Sequence, residues 1–399
     1  MTKLFGEANP PLTENLVSYI LSMTGSTTLR LAEQVNRTWR DAVFKMKLRT
    51  KIFESTLKKC DFFTRITFQD FDFAPLSGGL TNSTFKLVIQ GQAYVARIPG
   101  RETRLFIDRS AEYWNAAIAM KYGINTVITY FDPANGSQVT AYLQDPVPMT
   151  SSLIKEPLYL EAAINTLRRI HQSTELFKND VDIFSRNRIM LDIISHHGNA
   201  LLSRYQELAK TMEDVEKLFS VLTLPKRPCH NDTTPSNFVC SNGKMYLIDW
   251  EYSGNNLPIW DLVCLAVEAG FSREDTQRML ALYYGPEAPE NDRLFQILIP
   301  VYEFWVALWA GVQIANANHS GDEKDLLALE KLRLDGCSSS LKTLTFKESL
   351  ASFRKTTEND SERGTDPTGL LSVGMFSSSP FNASAQSSTP LIPQHRMHM

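Results

Sequence analysis

Three polar side chains near the middle of the chain have the residue types and the spacing that phosphoryl transfer requires. Asp232 and Asn237 form an Asp-x4-Asn pattern, and Asp249 follows the apolar run at 246–248. A carboxylate can orient the proton of an acceptor hydroxyl, while an amide oxygen and a second carboxylate can hold Mg²⁺ beside the phosphates. Asp, Asn, Thr and Pro also favour ordinary turns, but a turn does not account for the acid that ends the next strand. We therefore predict Asp232 as the catalytic residue and Asn237 and Asp249 as metal ligands.

The sequence around these residues resembles a known enzyme family. The run His-Asn-Asp at 230–232 and the run Ile-Asp-Trp-Glu-Tyr at 248–252 are similar to the choline/ethanolamine kinase family, most closely its bacterial LicA-type members. Aminoglycoside phosphotransferases are the next most similar group. Typical protein kinases carry Arg between the His and the Asp and Phe-Gly after the second Asp, whereas this chain has Asn and Trp-Glu there. The resemblance covers roughly residues 70–320 and implies the use of ATP and Mg²⁺.

The sequence before this loop contains the residues expected to bind ATP. The glycine pair at 78–79 lies between two strand-like runs. Glycine lets backbone amides approach phosphate closely, although a plain hairpin turn would use the same pair. Arg can hold phosphate through two parallel hydrogen bonds. The resemblance puts Arg97 in that role, with Glu112 on the following helix as its ion-pair partner. The cofactor-binding residues implied in this way are Gly79, Thr81, Asn82, Arg97 and Glu112.

Aromatic and acidic residues after the loop are candidates for the pocket of the acceptor alcohol. A quaternary ammonium group binds to aromatic faces, with carboxylates nearby. Trp305 and Trp309 are four residues apart and share one helix face, where core packing is the alternative. Glu251 could serve the metal or the acceptor, and Glu268 could face a cation or the solvent. The substrate-binding residues proposed from the sequence are Glu251, Tyr252, Glu268, Trp305 and Trp309.

Three further polar residues are expected to support the loop rather than to react. His171 ends an amphipathic helical pattern, and such a histidine is more often packed than catalytic. His230 lies two residues before Asp232 and is expected to brace the loop through hydrogen bonds. The resemblance implies that Asp261 supports the loop through backbone hydrogen bonds.

The first 55 residues resemble a different family. Apolar pairs at 11–12 and 20–21, a Leu-x-Leu-Ala run at 29–32 and a Val-x3-Trp-Arg run at 35–40 are spaced as in an F-box. An F-box is a small helical unit whose exposed apolar residues need a partner surface. The resemblance therefore implies a Skp1-type partner bound through residues 10–45. A helical cap packed on the small lobe is the alternative.

Length and composition exclude several classes of protein. The 399 residues, 43% of them hydrophobic, are enough for two or three domains with sizeable cores. The net charge of −3 gives no sign of the basic excess of a nucleic-acid binder. Five scattered cysteines without a CxxC motif suit a reducing compartment. The apolar stretch 294–315 also contains Pro, Gln and Glu, which favours a buried helix over a membrane span.

The resemblances together imply an α+β chain with a bilobal protein-kinase-like fold, formed by a β-rich small lobe and a helical large lobe. The predicted segments are an F-box-like helical unit (1–55), the small lobe (56–145), the large lobe (146–345) and a disordered tail rich in Ser, Thr and Pro (346–399). No nucleic-acid partner and no membrane span are expected.

The leading functional hypothesis is an ATP- and Mg-dependent phosphotransferase acting on a small amino alcohol, with choline as the leading candidate. One alternative is an aminoglycoside-type phosphotransferase, whose acceptor would prefer an acidic pocket to an aromatic one. The other is an F-box adaptor that recruits a ubiquitin ligase and uses the kinase-like domain to bind a client. An F-box belongs to the eukaryotic cytosol, whereas the kinase half looks bacterial. We therefore expect a cytoplasmic protein, and an effector that a bacterium secretes into a host cytosol would reconcile the two halves.

Overall fold

The N-terminal part of the fold is a small lobe built on one antiparallel sheet. The computed structural model describes residues 37–76, 82–100, 107–198, 202–220, 224–316 and 323–363. The elements of the small lobe are α1 (Arg37–Ser55), β1 (Phe71–Pro75), β2 (Asn82–Ile89), β3 (Gln92–Pro99), α2 (Arg109–Lys121), β4 (Ile128–Phe131) and β5 (Gln138–Ala141). The strand order in the sheet is β1-β2-β3-β5-β4.

Apolar residues alternate with other residues along β2, and this pattern explains which face of the sheet is buried. Phe85, Leu87 and Ile89 recur every second residue and are all buried, as expected for a strand with one face on the core. The β2–β3 hairpin turns at Gln90 and Gly91, both with positive φ, which is the backbone that a tight two-residue hairpin needs. The hairpin places Asn82 at the start of β2 and Arg97 near the end of β3, opposite Thr84.

The helix α1 packs against this sheet through its C-terminal half. Ile52 is completely buried in a cluster with Leu57, Phe63 and Phe71. The domain boundary predicted at residue 55 therefore falls inside one hydrophobic cluster, because α1 and the residues after it share the core of the small lobe. Residues 1–36 lie outside the described part of the chain, so the Skp1-type interaction predicted for residues 10–45 stays a prediction.

The large lobe is mainly helical, with two small sheets at the junction of the lobes. Its elements are β6 (Val147–Pro148), α3 (Pro157–His171), α4 (Ile183–Ser195), α5 (Gln206–Ser220), β7 (Arg227–Cys229), β8 (Phe238–Ser241), β9 (Lys244–Leu247), β10 (Gly254–Asn256), α6 (Pro258–Ala269), α7 (Arg273–Tyr284), α8 (Ala288–Ala315), α9 (Glu323–Lys342) and α10 (Leu344–Arg363). One small sheet has the order β6-β8-β9, and the other pairs β7 with β10. The bilobal α+β fold predicted from the sequence is thus confirmed.

The central element of the large lobe is α8, which packs against α4, α6, α7, α9 and α10. The stretch Arg273–Ala315 contains a window long and apolar enough to cross a membrane, but 72% of that window is buried inside the protein. A helix that is apolar on all sides is expected in the core of a large lobe. The burial therefore favours the core helix that the sequence predicted.

The C-terminal boundary differs from the prediction of a disordered tail beginning at residue 346. The helix α10 continues to Arg363 and packs on α8, with Phe346 and Phe353 buried in the core of the large lobe. These two aromatic side chains are seven residues apart and therefore share one helix face. The polar residues between them concealed this pattern in the sequence. Residues 364–399 lie outside the described part of the chain.

Candidate active site

A cavity of about 920 Å³ lies between the two lobes and brings the predicted site residues together. Its volume is within the range of small-molecule sites. The predicted residues that line it are Asn82, Arg97, Glu112, Asp232, Asn237, Asp249, Glu251, Tyr252, Glu268, Trp305 and Trp309. Gly79 and Thr81 fall outside the described residues. One cavity therefore contains the described members of all the predicted groups: catalytic, metal-ligating, cofactor-binding and substrate-binding.

The loop between β7 and β8 holds Asp232 and Asn237 in direct contact. The Asn237 side-chain nitrogen donates to the Asp232 backbone carbonyl at 2.8 Å and to its Oδ2 at 3.1 Å. The Asn237 Oδ1 accepts no hydrogen bond from any residue that the structure describes. The amide nitrogen thus fixes the predicted catalytic carboxylate, and the amide oxygen is left for another ligand.

A buried carboxylate at the start of α6 supports the backbone of this loop. Asp261 is fully buried and accepts hydrogen bonds from the backbone N–H of His230 at 2.8 Å and of Asn231 at 2.7 Å. It also contacts the His171 Nε2 at 2.9 Å. Asn231 has a φ of 65°, a left-handed conformation that is uncommon in non-glycine residues but that Asn adopts more readily than most. These contacts confirm the structural roles expected for Asp261 and His171.

His230 connects the loop to the strand end that precedes Asp249. Its Nε2 lies 2.9 Å from the Ile248 carbonyl, and its Nδ1 lies 3.3 Å from the backbone nitrogen of Asp232. Burial lowers the pKa of this histidine to about 4, so the ring is neutral at pH 7. A neutral imidazole can donate through one nitrogen and accept through the other. His230 therefore braces the loop, as the sequence predicted.

Two arginines and three carboxylates form a buried ion cluster beside the loop. Arg97 is paired with both Glu112 and Asp249. Burial disfavours the charged guanidinium, but the surrounding carboxylates, Glu112 foremost, raise the pKa of Arg97 above its ordinary value. The ion pair between Arg97 and Glu112 that the resemblance implied is therefore present, and it joins β3 to α2.

Arg109 is a further member of this cluster, which was not predicted from the sequence. Its Nη1 lies 2.6 Å from a Glu112 oxygen and 3.1 Å from a Glu251 oxygen. Glu251 also accepts a hydrogen bond from the Asn82 side chain at 3.2 Å. Its carboxylate thus connects the loop after Asp249 to both β2 and α2. The spacing of three between Arg109 and Glu112 was a signal, but it is also common between solvated residues on a helix surface.

Negative charge is concentrated around Asp232. Burial and the nearby charges of Asp249, Glu268 and Glu251 raise the pKa of its carboxyl well above the ordinary value, and the hydrogen bond from Asn237 offsets this only in part. Asp249 itself has a left-handed φ of 66°, the kind of local strain that is found at functional sites. A carboxylate and an amide oxygen form a donor set that fits a hard divalent cation. Asp249 and Asn237 are the residues that could hold one, with the Asp232 carboxylate beside them.

The cavity wall on the side of α8 is aromatic. The Trp309 indole N–H donates to the Tyr252 hydroxyl at 3.0 Å, and the Tyr252 ring meets the Trp305 ring edge-on with centroids 5.9 Å apart. Trp305 also stacks on Tyr302 at 6.1 Å. The buried Trp305 indole N–H has no hydrogen-bond partner among the described residues. Trp305 and Trp309 thus combine core packing with exposure to the cavity. Core packing and a place in the acceptor pocket, which the sequence left as alternatives, are therefore compatible.

Comparison with known proteins gives consistent matches. The model of the phosphotransferase enzyme family (APH) matches residues 72–293. Protein LicA of Haemophilus influenzae is 29% identical over 255 residues, which are 61% of this chain and 74% of the relative. A choline/ethanolamine kinase family protein from Mesorhizobium loti has a TM-score of 0.66 and 28% identity, covering 77% of this chain and 99% of the other. Choline kinase LicA from Streptococcus pneumoniae has a TM-score of 0.58 at 24% identity, covering 67% and 94%, and shares the fold.

Proposed function

Because the chain belongs to the phosphotransferase enzyme family, we propose that it transfers a phosphoryl group from ATP to the hydroxyl of a small amino alcohol, with choline as the leading candidate. The observation that carries this proposal is the single cavity in which the carboxylates around Asp232 face an aromatic wall. The similarity to a choline/ethanolamine kinase family protein at 28% identity supports the same class of acceptor.

Asp232 would bind the acceptor hydroxyl. Its carboxylate lies at the cavity surface, and the hydrogen bond from Asn237 fixes its Oδ2. An ionised carboxylate can accept the hydroxyl proton as the oxygen attacks the terminal phosphorus atom of ATP. The P–O bond to ADP breaks as the new P–O bond forms, so the phosphoryl group moves to the alcohol and the proton moves to Asp232.

Arg97 would contact the phosphates of ATP, because its guanidinium is charged, lies in the cavity and is oriented by Glu112. Arg109 would hold Glu112 in place, and Glu251 would hold Asn82 in place, so both would support Arg97 indirectly. Asn237 and Asp249 would hold Mg²⁺, which when bound neutralises phosphate charge and orients the terminal phosphate for transfer.

The aromatic wall favours a small amino alcohol over an aminoglycoside. Tyr252, Trp305 and Trp309 present ring surfaces to the cavity, and a trimethylammonium group binds to such surfaces. The described residues that line the cavity include five carboxylates, but Glu112, Asp249 and Glu251 belong to the ion cluster around the two arginines. Glu268, which accepts from Tyr302, is the acid beside the aromatic rings, and one such acid suits a single cationic group better than the several ammonium groups of an aminoglycoside.

A screen of ATP consumption against choline, ethanolamine and aminoglycosides tests the proposal. We expect turnover with choline, its loss in EDTA and its recovery on adding Mg²⁺. The Asp249→Asn variant removes one negatively charged ligand, so it should need a higher Mg²⁺ concentration for half-maximal rate. Turnover with aminoglycosides alone would replace choline as the acceptor, and turnover that is unaffected by EDTA would contradict the metal assignment.

A further inference from the structure

The acceptor side of the cavity contains a buried ion cluster that none of the catalytic steps above uses. Arg333, on α9, is 8% exposed, and its Nη2 lies 2.7 Å from the Glu268 Oε1 on α6. Its Nη1 lies 3.1 Å from a carboxylate oxygen of Glu303 on α8. Three separate helices therefore meet at one guanidinium, directly behind a carboxylate that lines the cavity.

The two carboxylate oxygens of Glu268 have different hydrogen-bond partners. Oε1 accepts from Arg333 and also from the Tyr302 hydroxyl at 2.9 Å. Oε2 accepts no hydrogen bond from the residues that the structure describes, while the Glu268 side chain lines the cavity. With one oxygen held by two donors, the rotation of the carboxylate is fixed and the second oxygen is available to a ligand.

The charge of the cluster is also suited to a cationic ligand. A single guanidinium faces two carboxylates, Glu268 and Glu303, so the cluster keeps a net negative charge. Glu303 offsets the positive charge of Arg333, which would otherwise repel a cation in the pocket.

We infer that Arg333 is a positioning residue for the acceptor, which holds Glu268 so that one carboxylate oxygen faces the cationic group of the amino alcohol. This inference rests on the proposed function in taking a cation as the acceptor. It assigns to α9 an indirect part in acceptor binding, through a residue far from the catalytic loop in sequence.

The test uses the Arg333→Gln variant of the full-length protein. We expect the KM for choline to rise about tenfold, because a hydrogen bond to a charged group is lost, while the KM for ATP changes less than twofold. Arg333→Lys should recover part of the loss, since an ammonium can still donate to Glu268. Tyr302→Phe removes the other donor to the same oxygen and should raise the choline KM in the same direction by a smaller factor.

A matched control is Arg204→Gln. Arg204 pairs with Glu330 at 2.7 Å and so anchors the same helix α9, but neither residue lines the cavity. If α9 acts only as a structural support, Arg204→Gln and Arg333→Gln should change both KM values alike. That result, or an unchanged choline KM in Arg333→Gln, would overturn the inference.

Binding without turnover separates this inference from the proposed function. Titration with tetramethylammonium, followed by tryptophan fluorescence in the absence of nucleotide, should show binding to the wild type and about tenfold weaker binding to Arg333→Gln. Failure of the wild type to phosphorylate any amino alcohol, with this binding difference intact, would overturn the proposed function alone. Equal binding by the two proteins would overturn the role of Arg333 alone.

Discussion

The loop that carries Asp232 depends on a carboxylate that does not line the cavity, which makes Asp261→Asn an informative substitution. The Asp261 Oδ1 accepts from the backbone of Asn231, and its Oδ2 accepts from the backbone of His230 and contacts His171. Asparagine has the same shape but replaces one oxygen with an NH2 group. His171 can adapt by changing its tautomer, but a backbone N–H cannot. In either orientation of the amide, one backbone N–H of the loop faces another donor.

The expected loss of stability follows from these contacts. One buried N–H left without an acceptor costs about 1–3 kcal/mol, and the remaining bonds weaken by about 1 kcal/mol in total when the acceptor loses its charge. Relief of the buried negative charge offsets a part of this. We expect a net decrease of about 2–3 kcal/mol in the free energy of unfolding, together with a rate decrease on the order of 10² because the loop that carries Asp232 shifts.

Urea denaturation and steady-state kinetics measure the two effects. The denaturation midpoint should fall with little change in the slope m, and kcat should fall while the KM for choline stays nearly constant, since Asp261 does not line the cavity. The isosteric control for the stability effect is Asp232→Asn, which changes the same functional group at a position whose side chain accepts no backbone hydrogen bond from the described residues. An Asp261→Asn protein with wild-type stability and wild-type kcat would refute this account of the loop.

Three further outcomes are expected. Asp232→Asn should lower kcat by about 10² to 10⁴ but raise the melting temperature of the ligand-free protein at pH 7. Burial and nearby acids raise the pKa of this carboxyl, so its ionised form opposes folding and the wild-type protein gains stability as the pH falls. In differential scanning fluorimetry from pH 8 to pH 5, the melting temperature should therefore rise less in the variant than in the wild type. Trp309→Ala should raise the KM for choline by about 2- to 30-fold, the equivalent of about 0.5–2 kcal/mol of cation–π contact, with little change for ATP; equal changes would mean that Trp309 only packs. Deletion of residues 1–36 should leave stability and turnover intact and abolish any Skp1 pull-down, whereas deletion of residues 1–55 should lower the melting temperature because it removes the buried Ile52; equal stability of the two truncations would contradict the packing of α1.

Local spacing explains why part of the site could be predicted. Asp232 and Asn237 lie in one loop, and Asp249 lies at the end of the hairpin that follows it. Their short separation along the chain therefore already places them close together. Arg97 and Glu112 were found because the family resemblance supplied their pairing. These residues could be named without knowing how the lobes pack.

The residues that were missed depend on contacts between distant segments. Arg109 meets Glu251 across 142 positions, and Arg333 meets Glu268 across 65 positions. No local pattern distinguishes such an arginine from one in solvent, because its partner is set by helix packing. The burial of Phe346 was missed for a related reason, because a helix that packs through only a few apolar side chains otherwise has the polar composition of a disordered tail.

The two walls of the cavity come from different parts of the chain. Arg97, Asp232 and Asp249 precede α6, whereas Trp305, Trp309 and Arg333 lie on α8 and α9. The proposed acceptor wall is only partly separate from the phosphoryl side, because Tyr252 follows Asp249 closely and Glu268 lies on α6. Divergence of α8 and α9 could alter the fit of the acceptor while Arg97 and Asp232 stay unchanged, but exchange of the two helices between relatives would transfer substrate choice only together with the residues at 252 and 268 that they contact.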